Sequence, residues 1–373
     1  MGPQPAARWA VLGLLFGAPV SAEYLQAYLT STGDALELLV GLILAPLYGG
    51  AALVIREVAV RTGRGWPGIL LLAGAFGVIM PGLVDLSLFT EHETDVTGWD
   101  ELWSPTSVPL LGISVHSGIA WALGHVVMSI GVPIALLEAL APKLRGRSLL
   151  GREGLVVVVI LWLASAALVH SDSRGPGSTP HPAQVAGVLA VAIGLVLLAR
   201  TRFGRPVRRR VERRAWGTIP TVGLGLATML AVDLPPPTWI GLVLLVVVVL
   251  GIGVVVALAA RSAAWGLPQV TGLASGALVE RALVGFVAPL APGVEMIAKL
   301  AQSAVLLALV VVVVILAIRA ARPARVEVTR RDLRSGSTLP AGWVVPILVI
   351  GLGSRPLAPD PGMVECRRRR VIA

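Results

Sequence analysis

Five ionisable residues stand within long apolar stretches of the sequence: Glu23, Asp85, His125, Glu280 and Arg281. Inside a bilayer a charged side chain costs about 2.5–3.5 kcal/mol even on permissive insertion scales, so such residues face a protein interior and mark ion, proton or substrate pathways. Their carboxylates can hold a cation or a proton, the imidazole can pass a proton on, and the guanidinium can grip an anion. Depth separates them. Glu23 lies about 15 residues into its apolar run, roughly 20 Å into a core about 30 Å thick. Asp85 stands near the outer end of its run, and His125, within Trp121-Ala-Leu-Gly-His125, falls mid-run. Glu280 and Arg281 fall near the centre of theirs. Gly272, Gly276 and Glu280 recur at helical spacing, which sets small residues and a carboxylate on one face where another helix can approach closely. These five side chains form the expected substrate or ion pathway.

A second polar group, Arg56-Glu57-Val-Ala-Val-Arg61, brings Glu57 and Arg61 to the i,i+4 spacing at which carboxylate and cation meet on a helix. At the edge of its run this pair reads as a boundary anchor. His116 and His125 fall on opposite sides of a regular helix, so they share no site unless Gly118 or Gly124 breaks it. No metal centre and no cofactor are expected. The lone cysteine, Cys366, excludes an internal disulfide and a Cys-rich metal site.

The elements that must position these residues are helices. Only 14% of residues are charged, against about 25% in soluble domains, and the mean hydropathy is +0.83. The fold class is therefore all-α, a polytopic transmembrane helical bundle. Apolar runs near 9–29, 35–59, 67–89, 113–141, 154–170, 183–199, 217–233, 238–260, 271–290 and 296–319 make ten candidate spans. The loops between them alternate in charge. Arg61 and Arg64, then Lys143, Arg145, Arg147 and Arg152, then the arginines of 200–214, then Arg261 fill every second connection, and the intervening ones are acidic, uncharged or hold a single Arg174. The positive-inside rule then predicts both termini in the cytoplasm of a bacterial inner-membrane protein. Residues 1–22 also fit a signal peptide ending at Val20-Ser21-Ala22, whose cleavage would leave nine spans. The transmembrane domain covers 1–319, and 320–373 forms a basic cytoplasmic tail expected to be largely disordered, with a short interfacial stretch at 341–353.

The excess of 31 Lys and Arg over 21 Asp and Glu has a topological explanation, so the expected partners are membrane lipids, with anionic lipid at the arginine-rich loops, and no nucleic acid. Trp9, Trp66, Trp216 and Trp265 at one set of boundaries, and Trp99, Trp103 and Trp239 at the other, suggest aromatic belts. Pro19, Pro46, Pro81 and Pro133 lie inside runs, where a missing backbone donor frees carbonyls to line a cavity.

The phrases Pro19-Val-Ser-Ala-Glu23-Tyr24-Leu25, Ala45-Pro-Leu-Tyr48-Gly49, Ile55-Arg-Glu57-Val-Ala-Val-Arg61-Thr-Gly63 and Gly82-Leu-Val-Asp85 resemble a set of multi-pass membrane proteins of GC-rich actinobacteria. That resemblance covers about residues 15–140 and implies no particular activity. Arg56-Glu57-Val-Ala-Val-Arg61 and Trp121-Ala-Leu-Gly-His125 also resemble, in degenerate form, the Glu-Glu-x-x-x-Arg and Phe-x-x-x-His motifs of CAAX-type intramembrane proteases. That likeness implies catalytic roles for Glu57, Arg61 and His125, but the first Glu of the pair is replaced by Arg56 and the family's further His-x-x-x-Asn is absent. The sequence thus suggests a transporter or permease-like protein for a small solute, ion or lipid. A degenerate protease and a non-catalytic membrane subunit or scaffold are the alternatives.

Overall fold

Proline decides where several helices begin and where they change pitch. In this computed structural model, which describes residues 5–34, 44–174, 179–208 and 216–322, helix α1 (Pro5–Pro19) runs straight into a π-helical turn at Val20–Tyr24. Helix α3 (Trp66–Ile79) does the same at Met80–Val84, with Pro81 inside the wide turn. Helix α5 begins as Val115–Gly124, opens into a π segment at His125–Gly131 and closes again as Val132–Leu140, with Pro133 in the closing turn. A proline has no N–H and its ring crowds the carbonyl one turn back, so the regular hydrogen-bond register fails there and a wider turn takes it up.

The other helices are α2 (Ala45–Arg61), a short α4 (Trp99–Trp103), α6 (Arg152–Asp172), α7 (Pro182–Arg200), α8 (Thr218–Asp233), α9 (Trp239–Ala259), α10 (Leu267–Val284) and α11 (Met296–Ala321). Among the described residues the strands are a two-residue pair, Ser107–Val108 against Ile113–Ser114. The chain is an all-α bundle, as its composition predicts.

Each of the ten apolar runs holds a helix, but among the described residues 6 helices are long and apolar enough to cross a membrane: α3, α5, α6, α7, α9 and α11. The four that fall short do so for local reasons. Helix α2 starts at Ala45 with Pro46 in its first turn, where a missing N–H goes unmissed; residues 35–43, assigned to that span by hydropathy, lie outside the described residues, Gly41 among them. Helix α10 ends at Val284, because Gly285 and then Pro289, Pro292 and Gly293 stop it. Glu280 therefore opens the last turn of its helix and is not at the centre of a span. α8 is short, with 16 residues, whereas α1, 15 residues followed by the 5 of its π turn, is long enough but not apolar enough. The tail from residue 323 and the arginines at 209–214 lie outside the described residues.

The loops sort to two ends. At one, Gly65 N–H donates to Gly204 O (3.1 Å), Arg64 to Thr201 O (2.9 Å) and Arg61 to Leu150 O (2.6 Å), gathering the three basic loops. At the other, His170 bonds Leu83 O (2.8 Å), Ser303 donates to Gly285 O (3.1 Å) and Gln302 to Tyr24 O (3.4 Å). The flanks of α6 and α9 are apolar and bare: Val157, Ile160, Leu161, Val243, Val247 and Leu250 are exposed, the arrangement expected of helix faces turned to lipid. Of the belt tryptophans, Trp9, Trp216 and Trp239 are exposed, whereas Trp99, Trp103 and Trp265 are buried; Trp99 stacks on Trp121 with centroids 5.2 Å apart.

The tightest helix contact is α8 on α10, where backbones meet at glycine. A Cβ at Gly276 would lie 2.0 Å from Val222 O, at Gly272 2.1 Å from Thr221 Oγ1, and at Gly225 2.0 Å from Leu273 O. Such contacts hold helices together where no hydrophobic driving force exists. Gly276→Ala should therefore push the two helices apart and destabilise the protein by about 1–3 kcal/mol, the usual cost of overpacking. Thermal unfolding in detergent measures this, with Gly251→Ala on α9, where a Cβ meets nothing within 4 Å, as the neutral control.

Candidate functional site

The three π turns place three of the candidate residues. Val20–Tyr24 carries Glu23, Met80–Val84 delivers Asp85 as its C-cap, and His125 opens His125–Gly131. Such turns recur at functional sites because they re-aim a side chain that a regular helix would direct elsewhere. They also touch: Ser21 Oγ, in the first, donates to Met128 O (2.7 Å) in the third.

Glu23 is buried, and each of its oxygens accepts a phenolic hydrogen bond, Oε1 from Tyr48 and Oε2 from Tyr28 (2.7 Å). The chain has three tyrosines, and the third, Tyr24, also feels the Glu23 charge. Tyr48 stacks on the His125 ring at 6.0 Å, and Phe76 meets both rings edge-on, at 6.3 and 5.8 Å. His125 Nδ1 pairs with Ser129 Oγ (3.1 Å) one turn on. Asp85 accepts the Ser87 N–H (2.9 Å) and lies close enough to act electrostatically on Glu23, Tyr28 and Tyr48. Among the described residues, two that are not glycine have positive φ: Ala27 (50°), just before Tyr28, and Leu86 (59°), just after Asp85. Each costs about 1–3 kcal/mol and persists only where surrounding structure enforces it, as happens at binding sites.

A second cluster forms where α8 and α10 end. Arg281 grips the carboxylate of Asp233 with both terminal nitrogens, at 3.3 and 3.4 Å. Glu280 is 2% exposed, and neither of its oxygens meets a hydrogen-bond donor. The charges of Asp233 and Arg281 both act on it. The charge of Arg281 reaches Tyr28, so the two clusters are electrostatic neighbours. Around this end of the bundle four carboxyl groups, Glu23, Asp85, Asp233 and Glu280, face one guanidinium, a balance that favours a cationic or strongly hydrogen-bonding occupant.

Glu57 serves elsewhere. It is 0% exposed and accepts the Leu149 N–H (2.6 Å) and the Arg61 Nε–H (3.1 Å), while Arg56 donates to Leu144 O (2.9 Å) and Arg147 O (3.0 Å). Together they clamp the basic loop 141–151, with Glu138 paired to Arg145 (3.6 Å) beside them. Along α2, Glu57 is about 13 Å of helix rise from Tyr48, the residue that stacks on His125. Glu57, Arg61 and His125 are thus not drawn together. His116 is separate as well: it is buried near Thr106 and the Pro235 carbonyl. Among the described residues no group of three or more His, Cys, Asp or Glu is arranged to hold a metal ion.

Sequence reasoning missed Tyr28, Tyr48 and Asp233. The scarcity of tyrosine was the available signal for the first two. Lys299 was missed too; fully buried at the start of α11, it donates to the carbonyls of Ala288 and Pro289 and fixes the loop that follows α10. In comparisons with protein-family models, curated proteins and solved structures, nothing matches the chain.

Proposed function

We propose that the chain is a multi-pass membrane protein that binds a small cation or a cationic solute in the polar pocket around Glu23 and moves it across the bilayer. The basic loops would face the cytoplasm, which puts the Glu23 pocket toward the outer side. The observation that carries this reading is the buried Glu23 carboxylate, held by two phenols with Asp85 and His125 at its side. A carboxylate on one re-aimed helix turn, with two more such turns and strained backbone beside it, suits an exchangeable ligand. The Glu57 clamp offers no support to a protease, because its carboxylate is committed to a loop.

The test is uptake into proteoliposomes of a panel of Na⁺, K⁺, ammonium, guanidinium and choline. At least one should enter with the wild-type protein, and Glu23→Gln and Asp85→Asn should each abolish its entry. A wild type that moves none of the panel, or variants that move a member as well as wild type does, would defeat the reading.

A further inference from the structure

Two acidic side chains stand at the end of the α8–α10 pair beside one cation: Glu280 and Arg281 are buried, and Asp233 is exposed. Asp233 spends both oxygens on Arg281. Glu280 is buried, and neither of its oxygens has a hydrogen-bond partner, while the charge of Asp233 acts on it. A carboxylate buried without a donor loses its hydration uncompensated, and a hydrogen carried by the carboxyl removes that charge. We propose that Glu280 is a proton-binding site, loaded and emptied at this end of the bundle, and that Arg281 holds the neighbouring Asp233 in place as the fixed partner.

The surroundings leave no other source for that hydrogen. Among the described residues, α8 presents Asp233 and α10 presents Arg281. Lys299 of α11 is turned to the carbonyls of Ala288 and Pro289. On α5, His125 is engaged by Ser129 and Tyr48, and Glu138 pairs with Arg145. Tyr28 of the loop after α1 donates to Glu23. The close glycine contacts of α8 and α10 fix the separation of the two carboxyls. Arg281 also acts electrostatically on Tyr28, which makes the site a neighbour of the Glu23 cluster. In the transport reading, on which this use of the site rests, the proton is the coupling ion.

The site is tested on purified protein without any solute. A protonated carboxyl has a C=O stretching band that an ionised one lacks, so infrared difference spectra recorded on stepping the pH report it directly. One titrating carboxylic-acid band should appear in the wild type, persist in Glu23→Gln, and vanish in Glu280→Gln. Glutamine matches the volume of glutamate and keeps the fold; Asp233→Asn, checked by circular dichroism, is the second variant and should shift or remove the same band. Absence of the band in the wild type, its survival in both variants, or its displacement by Na⁺ at fixed pH would overturn the proton site. Its presence upholds the site whatever the uptake panel returns, so the two failures are distinguishable.

Discussion

Replacing Arg56 by alanine should cost about 3–5 kcal/mol of stability, the usual penalty for removing one member of a buried ion pair. Arg56 is 1% exposed, and its guanidinium binds the carbonyls of Leu144 and Arg147 and lies 3.6 Å from the Glu57 carboxylate. Its loss therefore unties the loop between α5 and α6 at two points and strands Glu57 with one cation, Arg61, that is itself partly exposed. The expected result is little folded protein in detergent and early thermal unfolding of what remains. Glu57→Gln should be far milder, since the amide oxygen still accepts from Leu149 N–H. If Arg56→Ala unfolds at the wild-type temperature, the clamp is decorative. If Glu57→Gln folds normally yet abolishes a proteolytic activity, the structural reading of this pair fails.

That clamp marks the boundary of what was legible. The i,i+4 partnership of Glu57 and Arg61 is local and was readable from spacing. The bond from Leu149 to Glu57 spans 92 residues, so the sequence placed Glu57 at an edge without revealing what covers it. The same holds at the candidate site. The small-residue face of Gly272 and Gly276 was legible because a repeat at helical spacing needs no partner to be seen, but its partner, Gly225 of α8, was not. Hydropathy located a helix in every apolar run and misjudged the end of α10, because a window average runs past Gly285. A proline inside an apolar run has two meanings, helix start or pitch change. Pro46 took the first and Pro19 and Pro81 the second, and only packing distinguishes them. Glu23 and Arg281 were singled out by depth. Their partners Tyr48 and Asp233, far away in sequence, required the fold.

The second large effect is expected at Glu23. Tyr48→Phe removes one of its two donors in a buried setting, and a hydrogen bond to a charged group is worth about 1.5–3 kcal/mol. Tyr28→Phe removes the other, but Tyr28 is only half-buried, so water can take over its role and the loss should be smaller. The double Phe variant leaves the carboxylate without a donor and should lose more than either single change. Adding Glu23→Gln to Tyr48→Phe separates packing from hydrogen bonding. With the charge gone, the extra cost of losing the phenol should shrink, giving a coupling energy of about 1–2 kcal/mol in a double-mutant cycle on unfolding. A cycle that closes to zero would mean that Tyr48 matters for its ring alone, through its stack on His125 and Phe76. The same four proteins carry a functional reading. If the pocket binds a cation at Glu23, Tyr48→Phe should weaken uptake while Glu23→Gln abolishes it, because a phenol tunes the carboxylate and only the carboxylate supplies the charge. Equal uptake by Glu23→Gln and wild type, alongside a large coupling energy, would assign the pair to holding α1 against α2 and to nothing more.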